Sequence, residues 1–371
     1  MSNSTFTSTP ESFTPGAHTE REIFSQAESW QSAIHTVRIN RPLLDEGYAQ
    51  HTGRPVLFVA CGSPYYLGLS AAAAYRALTG RPALAAPASE VLFNYDSVVG
   101  RGTAPLVVAV SRSGETSELL AAVRKLRIAG SVILAITVAS HSSLHRLADL
   151  ALTIPNAEEK SVAQTRSFSA MLIATLGAVA VAGRDESTLA GLHDAAQHAA
   201  AYLARIDGMI QAVVARGFRQ VYFLGSGARY GLANEGALKM KEMSLTNAEP
   251  FHFLEFRHGP QSMVDDQTLV VGLVSKHAVR EELQVLNEVG ALGGQTLAIL
   301  PAGASQEDTK HAHTSCAQTE IDLVLPEIAA LPFYMPPLHM LAYYQAVRKG
   351  LDCDRPRHLK HFISLPNLRA E

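Results

Sequence analysis

Phe58-Val-Ala-Cys-Gly-Ser-Pro-Tyr65 and Phe223-Leu-Gly-Ser-Gly-Ala-Arg-Tyr230 decide the fold: each is an apolar run ending in a glycine turn, and they lie 165 residues apart. The spacing recurs along the chain. Leu106-Val-Val-Ala-Val-Ser111 matches Leu269 to Ser275 at an offset near 164, and Leu150 to Pro155 matches Ile321 to Pro326 near 171. Registers that agree within a few residues indicate duplication of one unit. Around these anchors short β-rich runs alternate with helical patterns, the signature of βαβ units on a parallel sheet. Strands are expected at Val56–Ala60, Leu106–Val110, Val132–Thr137 and Leu150–Ile154, then at Gln220–Leu224, Leu269–Val274, Thr296–Leu300 and Ile321–Leu325. Their nearly continuous apolar character fits strands covered on both faces. A long apolar helix is expected from about Leu331 to Arg348. The fold class is α/β, built from two tandem copies of a parallel sheet flanked by helices.

The chain has 371 residues, about two domains at roughly 100–200 residues each. The sequence divides into a loosely ordered Ser/Thr/Pro-rich arm (1–20), a first domain (21–200), a second (201–350) and a C-terminal tail (351–371) expected to close the site. The boundary between domains falls in the helical stretch from Ser187 to Ala215. With 31 basic against 34 acidic residues and a formal net charge of -3, the chain lacks the basic field that phosphate-backbone binding needs, so nucleic acid is excluded as a partner. Cys61, Cys316 and Cys353 are odd in number and widely spaced, which fits a reducing cytoplasmic setting and no structural zinc. The most apolar stretch, Ala170 to Ala182, is shorter than the roughly 20 residues of a membrane span and reads as a core helix, so no membrane is expected. The N-terminus carries neither a secretory signal nor a lipidation motif.

Ligands of an open α/β sheet bind beyond the carboxyl ends of its strands, so the residues just after each apolar run carry the information. Val110-Ser-Arg-Ser-Gly-Glu-Thr-Ser117 passes from strand to helix through hydroxyls at Ser111, Ser113 and Thr116, with Gly114 allowing close backbone approach. Together with the free N–H groups of a first helical turn, these make an anion cradle suited to phosphate. The competing reading is an ordinary capped helix start. The second repeat replaces the turn with Val274-Ser-Lys-His-Ala-Val-Arg280, so one phosphate site per chain is expected, in the first half. Ala60-Cys-Gly-Ser-Pro-Tyr65 adds Ser63, and Glu158-Glu-Lys-Ser-Val-Ala-Gln-Thr-Arg166, before the apolar helix, adds Ser161 and Thr165 beside free backbone N–H groups, with a simple cap again the alternative. Glu235, Lys239 and Glu242 share one helical face at i, i+4 and i+7, a spacing whose usual meaning is a solvated salt-bridge stripe, with an acid–base cluster as the alternative. His258 follows closely in a Gly-Pro loop and supplies a group that titrates near neutrality. His311, His313 and Cys316 read as a polar surface loop rather than a metal cluster.

These motifs, Ser111-Arg-Ser-Gly-Glu-Thr116, Glu235-Gly-Ala-Leu-Lys-Met-Lys-Glu242, Phe256-Arg-His-Gly-Pro260 and Asp354-Arg-Pro-Arg-His-Leu359, resemble the SIS (sugar isomerase) domain family over roughly residues 20 to 365. Within it they are similar to the isomerase half of glucosamine-6-phosphate synthase and to aminosugar-phosphate deaminases and ketose/aldose isomerases. The resemblance implies two tandem SIS domains, each a flavodoxin-like three-layer sandwich. It implies that Ser111, Ser113, Gly114 and Thr116 hold a substrate phosphate, while Ser63, Thr165 and the backbone of Val162 and Ala163 line the sugar. It makes Glu242 the group that moves a proton between C1 and C2 of the open-chain sugar, with Glu235 and Lys239 in support. His258 would assist ring opening, reaching across a homodimer into the neighbouring subunit's site. No metal or organic cofactor is required.

Three departures shape the expected chemistry. The chain begins Met1-Ser2-Asn3 with the resemblance starting soon after, so no glutaminase domain is expected. The position of the family's imine-forming tail lysine reads His361, with Lys360 one residue early. Pro64 and Gln164 replace serines that contact the sugar. The sequence reading is therefore a phosphosugar isomerase or deaminase that converts glucosamine-6-phosphate to fructose-6-phosphate and ammonia through an enolamine. A simple aldose–ketose phosphate isomerase and a non-catalytic sugar-phosphate sensor remain as alternatives, since fold does not fix function.

Overall fold

A computed structural model describes residues 15–304 and 316–365. The apolar runs become two five-stranded parallel sheets. In the first, β1 (Val56–Ala60), β2 (Ala83–Pro87), β3 (Leu106–Ser111), β4 (Val132–Thr137) and β5 (Leu150–Thr153) lie in the order β2-β1-β3-β4-β5. In the second, β6 (Gln220–Gly225), β7 (Asn247–Phe251), β8 (Thr268–Leu273), β9 (Gln295–Leu300) and β10 (Cys316–Glu320) lie in the order β10-β9-β8-β6-β7, the same arrangement read from the opposite edge. This is the flavodoxin-like order, whose switch point falls between the first and third strands. The duplication extends to the register. Phe58 pairs with Ala85 and Val108 as Phe223 pairs with Pro250 and Val271.

The structure corrects the sequence reading at the sheet edges. β2 and β7 were not expected from their sequences, Ala-Leu-Ala-Ala-Pro and Asn-Ala-Glu-Pro-Phe, which carry little β-branched character and end in or contain proline. Both are edge strands, where one side needs no ladder partner and proline is tolerated. The strand expected at Ile321–Leu325 is instead the polar Cys316–Glu320 beside β9. Ile321 N–H adds one more bond, to the Leu300 carbonyl at 2.9 Å, before the apolar run leaves the sheet as a loop packed on the core. The arm assigned to residues 1–20 ends sooner: a helix occupies Ala17–Phe24, and Thr19 is fully buried. His311 and His313 lie outside the described residues.

The helices that follow the two equivalent first strands, Ser63–Thr79 after β1 and Arg229–Ser244 after β6, pack directly on each other and join the halves. Gly231 permits that crossing. A Cβ there would lie 2.3 Å from Ser70 Oγ and 2.4 Å from the Tyr66 carbonyl oxygen. On its other flank the same helix is squeezed at Gly236, where a Cβ would meet Leu338 at 2.6 Å and Phe223 at 2.9 Å. The Arg166–Gly183 helix has the length and composition of a membrane span, but 83% of its apolar window is buried, so it serves as a core helix. A single 30-residue helix, Glu186–Ala215, carries the chain from one half to the other, and its first turn is capped by Asp185 accepting the Thr188 N–H at 2.9 Å. The Leu331–Arg348 segment opens as a 3-10 turn and becomes α-helical at Met335, where Pro336 and Pro337 occupy first-turn positions that need no N–H partner.

Gly231→Ala forces a methyl group against backbone that cannot rotate away, so a loss of about 1–3 kcal/mol is expected. A denaturant midpoint unchanged from wild type would show that the two helices can separate without cost.

Candidate active site

β3 ends at Ser111, and the chain turns through Arg112, Ser113 and Gly114 into the Ser117–Ile128 helix. The Ser111 hydroxyl accepts the Gly114 N–H at 3.0 Å, and the Ser113 hydroxyl accepts the Glu115 N–H at 3.2 Å, which fold the turn back on itself. Gly114 has φ +64, and a Cβ there would lie 2.2 Å from Ser142 Oγ, so this position excludes a side chain twice over. Thr116 is the N-cap residue, yet its hydroxyl makes no cap hydrogen bond. The plain capping alternative predicts that bond. Instead Thr116 lines a cavity of about 190 Å³ together with Ser111 and Ser113. That volume, below the roughly 300–1,000 Å³ of pockets for drug-sized ligands, suits a small polar ligand.

The opposite wall comes from the turn after β1 and from the second half of the chain. Ser63, Pro64, Lys239 and Glu242 all face the same cavity. Glu235 and Lys239 are 0% and 1% exposed, which rules out the solvated stripe, while the Glu242 side chain keeps 19% of its surface and forms part of the cavity wall. The Lys239 ammonium lies 3.3 Å from Glu235 Oε1, donates to Ser63 Oγ at 3.1 Å, and forms an ion pair with the Glu242 carboxylate. Burial pushes the Glu235 carboxyl up to about 8, only partly offset by Lys239. Burial opposes the Lys239 charge as well, but the two carboxylates outweigh it and hold the ammonium above its usual value. In this cluster of one cation and two carboxylates, burial acts most strongly on Glu235, the deeper partner.

The remaining residues singled out in the sequence divide between wall and scaffold. Val162 and His361 line the cavity, as does Lys360, but the Val162 N–H is committed to the Asp354 carbonyl at 3.0 Å. Ala163 is 2% exposed and lies behind the wall. Thr165 is fully buried, and its N–H and hydroxyl both donate to Glu159, at 2.7 and 2.8 Å, so it shapes the loop instead of facing a ligand. Gly114 forms the turn and Glu235 lies beneath the cavity; neither is at its surface. His258 is exposed between the 3-10 turns Leu254–Arg257 and Pro260–Met263, away from this chain's cavity. Cys61 lines the cavity with its thiol pushed up to about 12 by burial and by Glu118, so it is not a thiolate nucleophile. Sequence reasoning missed three groups. Arg112 sits inside the cradle motif but carried no signal beyond its charge, Glu159 was hidden in an acidic pair, and Glu22 lies over a hundred residues from the loop it holds. Glu22 accepts the Lys160 N–H at 2.6 Å and also the Ser161 hydroxyl.

The fold and site define a duplicated α/β protein with a hydroxyl-lined cavity at the switch point of its first sheet and a buried Glu-Lys-Glu cluster from its second. The chain belongs to the SIS domain family, which it matches over residues 53–181 and 216–345. It is 35% identical over 325 residues to glutamine-fructose-6-phosphate aminotransferase (isomerizing) of Pseudomonas syringae pv. tomato, covering 84% of this chain and 52% of that protein. The protein of the same name from Zymomonas mobilis is 30% identical over 93% of this chain and 58% of its own length. The chain thus spans about half the length of these relatives. Among solved structures, the C-terminal domain of glucosamine-fructose-6-phosphate aminotransferase from Francisella tularensis superposes with a TM-score of 0.80 at 25% identity, over 94% of this chain and 100% of that one. Glucosamine-6-phosphate deaminase from Thermotoga maritima gives 0.77 at 24% identity, over 94% of this chain and 100% of that one, a likeness of fold. Tagatose-6-phosphate ketose/aldose isomerase from Escherichia coli likewise gives 0.79 at 24%, over 92% and 97%.

The raised Glu235 value has a consequence for stability. Folding takes up a proton between the ordinary glutamate value of 4.5 and about 8, so this group's contribution falls as pH rises through that window and is level above it. Urea midpoints measured from pH 5 to 8.5 should carry this decline in wild type and lose it in Glu235→Gln. An identical slope in the variant would mean that Glu235 ionises freely.

Proposed function

We propose that the chain is a phosphosugar isomerase of the aminosugar-6-phosphate deaminase type, turning glucosamine-6-phosphate and water into fructose-6-phosphate and ammonia. The observation that carries this reading is the presence of the Glu242 carboxylate and the Ser111, Ser113 and Thr116 hydroxyls on facing walls of one cavity. A phosphate in the cradle leaves the other end of an open-chain hexosamine beside Glu242 and Ser63. Glu242 removes the C2 proton from the ring-opened aldehyde while O1 takes a proton from the substrate's own ammonium, giving an enolamine with a hydroxyl on C1. The same carboxyl returns the proton to C1, which becomes a CH2OH group and leaves an imine at C2. Water adds to that imine and ammonia departs, leaving the ketose phosphate.

Lys239 has two tasks in this scheme. Paired with Glu242, it fixes the carboxylate at the cavity wall, and through Ser63 it ties that carboxylate to the first half of the chain. Glu235 beneath it, its carboxyl raised by burial, is the second carboxyl partner of the same ammonium. Ring opening is assigned to His258 of a second copy, because this chain's own His258 lies away from its cavity; the working unit is then a homodimer. The unpaired cysteines fit a cytoplasmic enzyme. His361 stands where an imine-forming lysine would be needed, which favours direct hydrolysis of the substrate's own imine over a covalent intermediate with the tail.

Incubation with a panel of hexosamine and ketose 6-phosphates, following ammonia, product sugar and C2 deuterium exchange, tests the reading. Turnover of the aminosugar with ammonia release supports deamination. Ketose formation from an aldose phosphate alone identifies the simple isomerase, and binding without turnover identifies a sensor. Glu242→Gln should lower C2 exchange by at least about a thousandfold, within the range of general-base contributions, while phosphate binding persists. Exchange at the wild-type rate would remove Glu242 from the role.

A further inference from the structure

The tail crosses the mouth of the cavity as a strap with a fixed base. The Asp354 carboxylate, in a residue only 4% exposed, accepts the His18 N–H at 3.0 Å and the Thr19 N–H and hydroxyl at 2.7 Å each. Its carbonyl takes the Val162 N–H. Beyond this base residues 357–363 are exposed, so the strap depends on the points where it is fastened. One is Ser117, whose N–H donates to the Ile363 carbonyl at 3.3 Å and whose hydroxyl accepts the Leu365 N–H at 2.8 Å.

The other is Arg112, a residue 7% exposed. Its Nη2 donates to the His361 carbonyl at 3.2 Å and lies 3.3 Å from His361 Nδ1. Its Nη1 donates to the Ser161 carbonyl at 3.2 Å and lies 3.6 Å from the Glu159 carboxylate. One guanidinium therefore joins the cradle turn, the loop behind Val162 and the strap. A guanidinium only donates, so a bond to Nδ1 requires that nitrogen to be unprotonated. Protonating the ring removes the acceptor and sets two cations against each other.

We propose that Arg112 is a positioning residue that latches the C-terminal strap over the cavity through His361, and that protonation of His361 releases the latch. Burial and the Arg112 charge both hold the imidazole below its usual value, and Glu159 opposes them. The other charged groups around the cavity are Lys360 on the strap, Glu118 on the Ser117–Ile128 helix, and the Lys239 and Glu242 pair. The latch is closed at neutral pH and above and opens on acidification, exposing the cradle to exchange of ligand. It rests on the reading of this cavity as the active site, but its readout does not depend on turnover.

Backbone amide exchange of residues 357–365 in the full chain, corrected for intrinsic rates and measured at pH 8 and pH 4.5, tests the proposal. Wild type should lose roughly tenfold protection at the lower pH, the scale of one charge-assisted hydrogen bond. Arg112→Gln should show the reduced protection at both pH values. Because that change leaves Glu159 without its cation, His361→Ala, confined to the exposed strap, serves as the second variant and should give the same pattern with an unchanged melting temperature. Wild-type protection in His361→Ala, or a pH dependence that survives in it, overturns the proposal. Absence of turnover on every sugar phosphate alongside the predicted exchange pattern would refute the assigned activity and leave the latch standing.

Discussion

The ammonium of Lys239, buried where the two halves meet, is the constraint on which the site depends. Removing such a charge from water costs several kcal/mol, so it is tolerated only with partners around it. Glu235 and Glu242 come from its own helix, but Ser63 comes from the first half of the chain. Docking of the two halves and assembly of the acid–base cluster are therefore one event. The close crossing at Gly231 sets the distance between the helices, and the narrow packing at Gly236 sets the rotation that points Lys239 inward rather than to solvent.

Duplication explains the architecture, and its breaking explains why the chemistry sits on one side. In the first sheet the turn after β3 leaves hydroxyls facing a cavity. At the matching place in the second sheet the Ser275 N–H is taken by the buried Glu282 carboxylate, and Arg229 is paired with Glu327 at 2.6 Å. The second half thus engages its own side chains at its switch point, with Arg229 Nε and Nη2 and one Glu282 oxygen left without a hydrogen-bond partner. Freed from holding a ligand there, its first helix carries the charged cluster across to the cavity of the first half.

The loop behind the cavity follows the same logic of satisfied donors. Residues 158–165 have no regular structure beyond a bend, so their N–H groups need acceptors. Glu22, Glu159 and Asp354 supply them from three distant places in the chain: an N-terminal helix, the loop itself and the tail. The buried carboxylates of Glu22 and Glu159 are spent on the loop's backbone and hydroxyl donors, and the Asp354 carbonyl takes the Val162 N–H, so the loop is pinned although it is neither helix nor strand.

Local sequence was enough for the central strands, because their apolar runs must be covered on both faces, and for the repeat, because it is written in the spacing of Phe58 and Phe223. It was enough to group Ser111, Ser113, Gly114 and Thr116 in one turn, because they are contiguous in the chain. It could not assign the edge strands β2, β7 and β10, whose polar or proline-containing sequences obey only one neighbour, nor choose between a solvated stripe and a buried cluster for Glu235, Lys239 and Glu242. That choice turns on which face of a helix meets another helix, a long-range packing fact. The roles of Glu22, Arg112 and Glu159 were likewise decided only by tertiary structure, since a carboxylate or guanidinium reveals its partner only when the chain has brought remote donors and acceptors within hydrogen-bond reach.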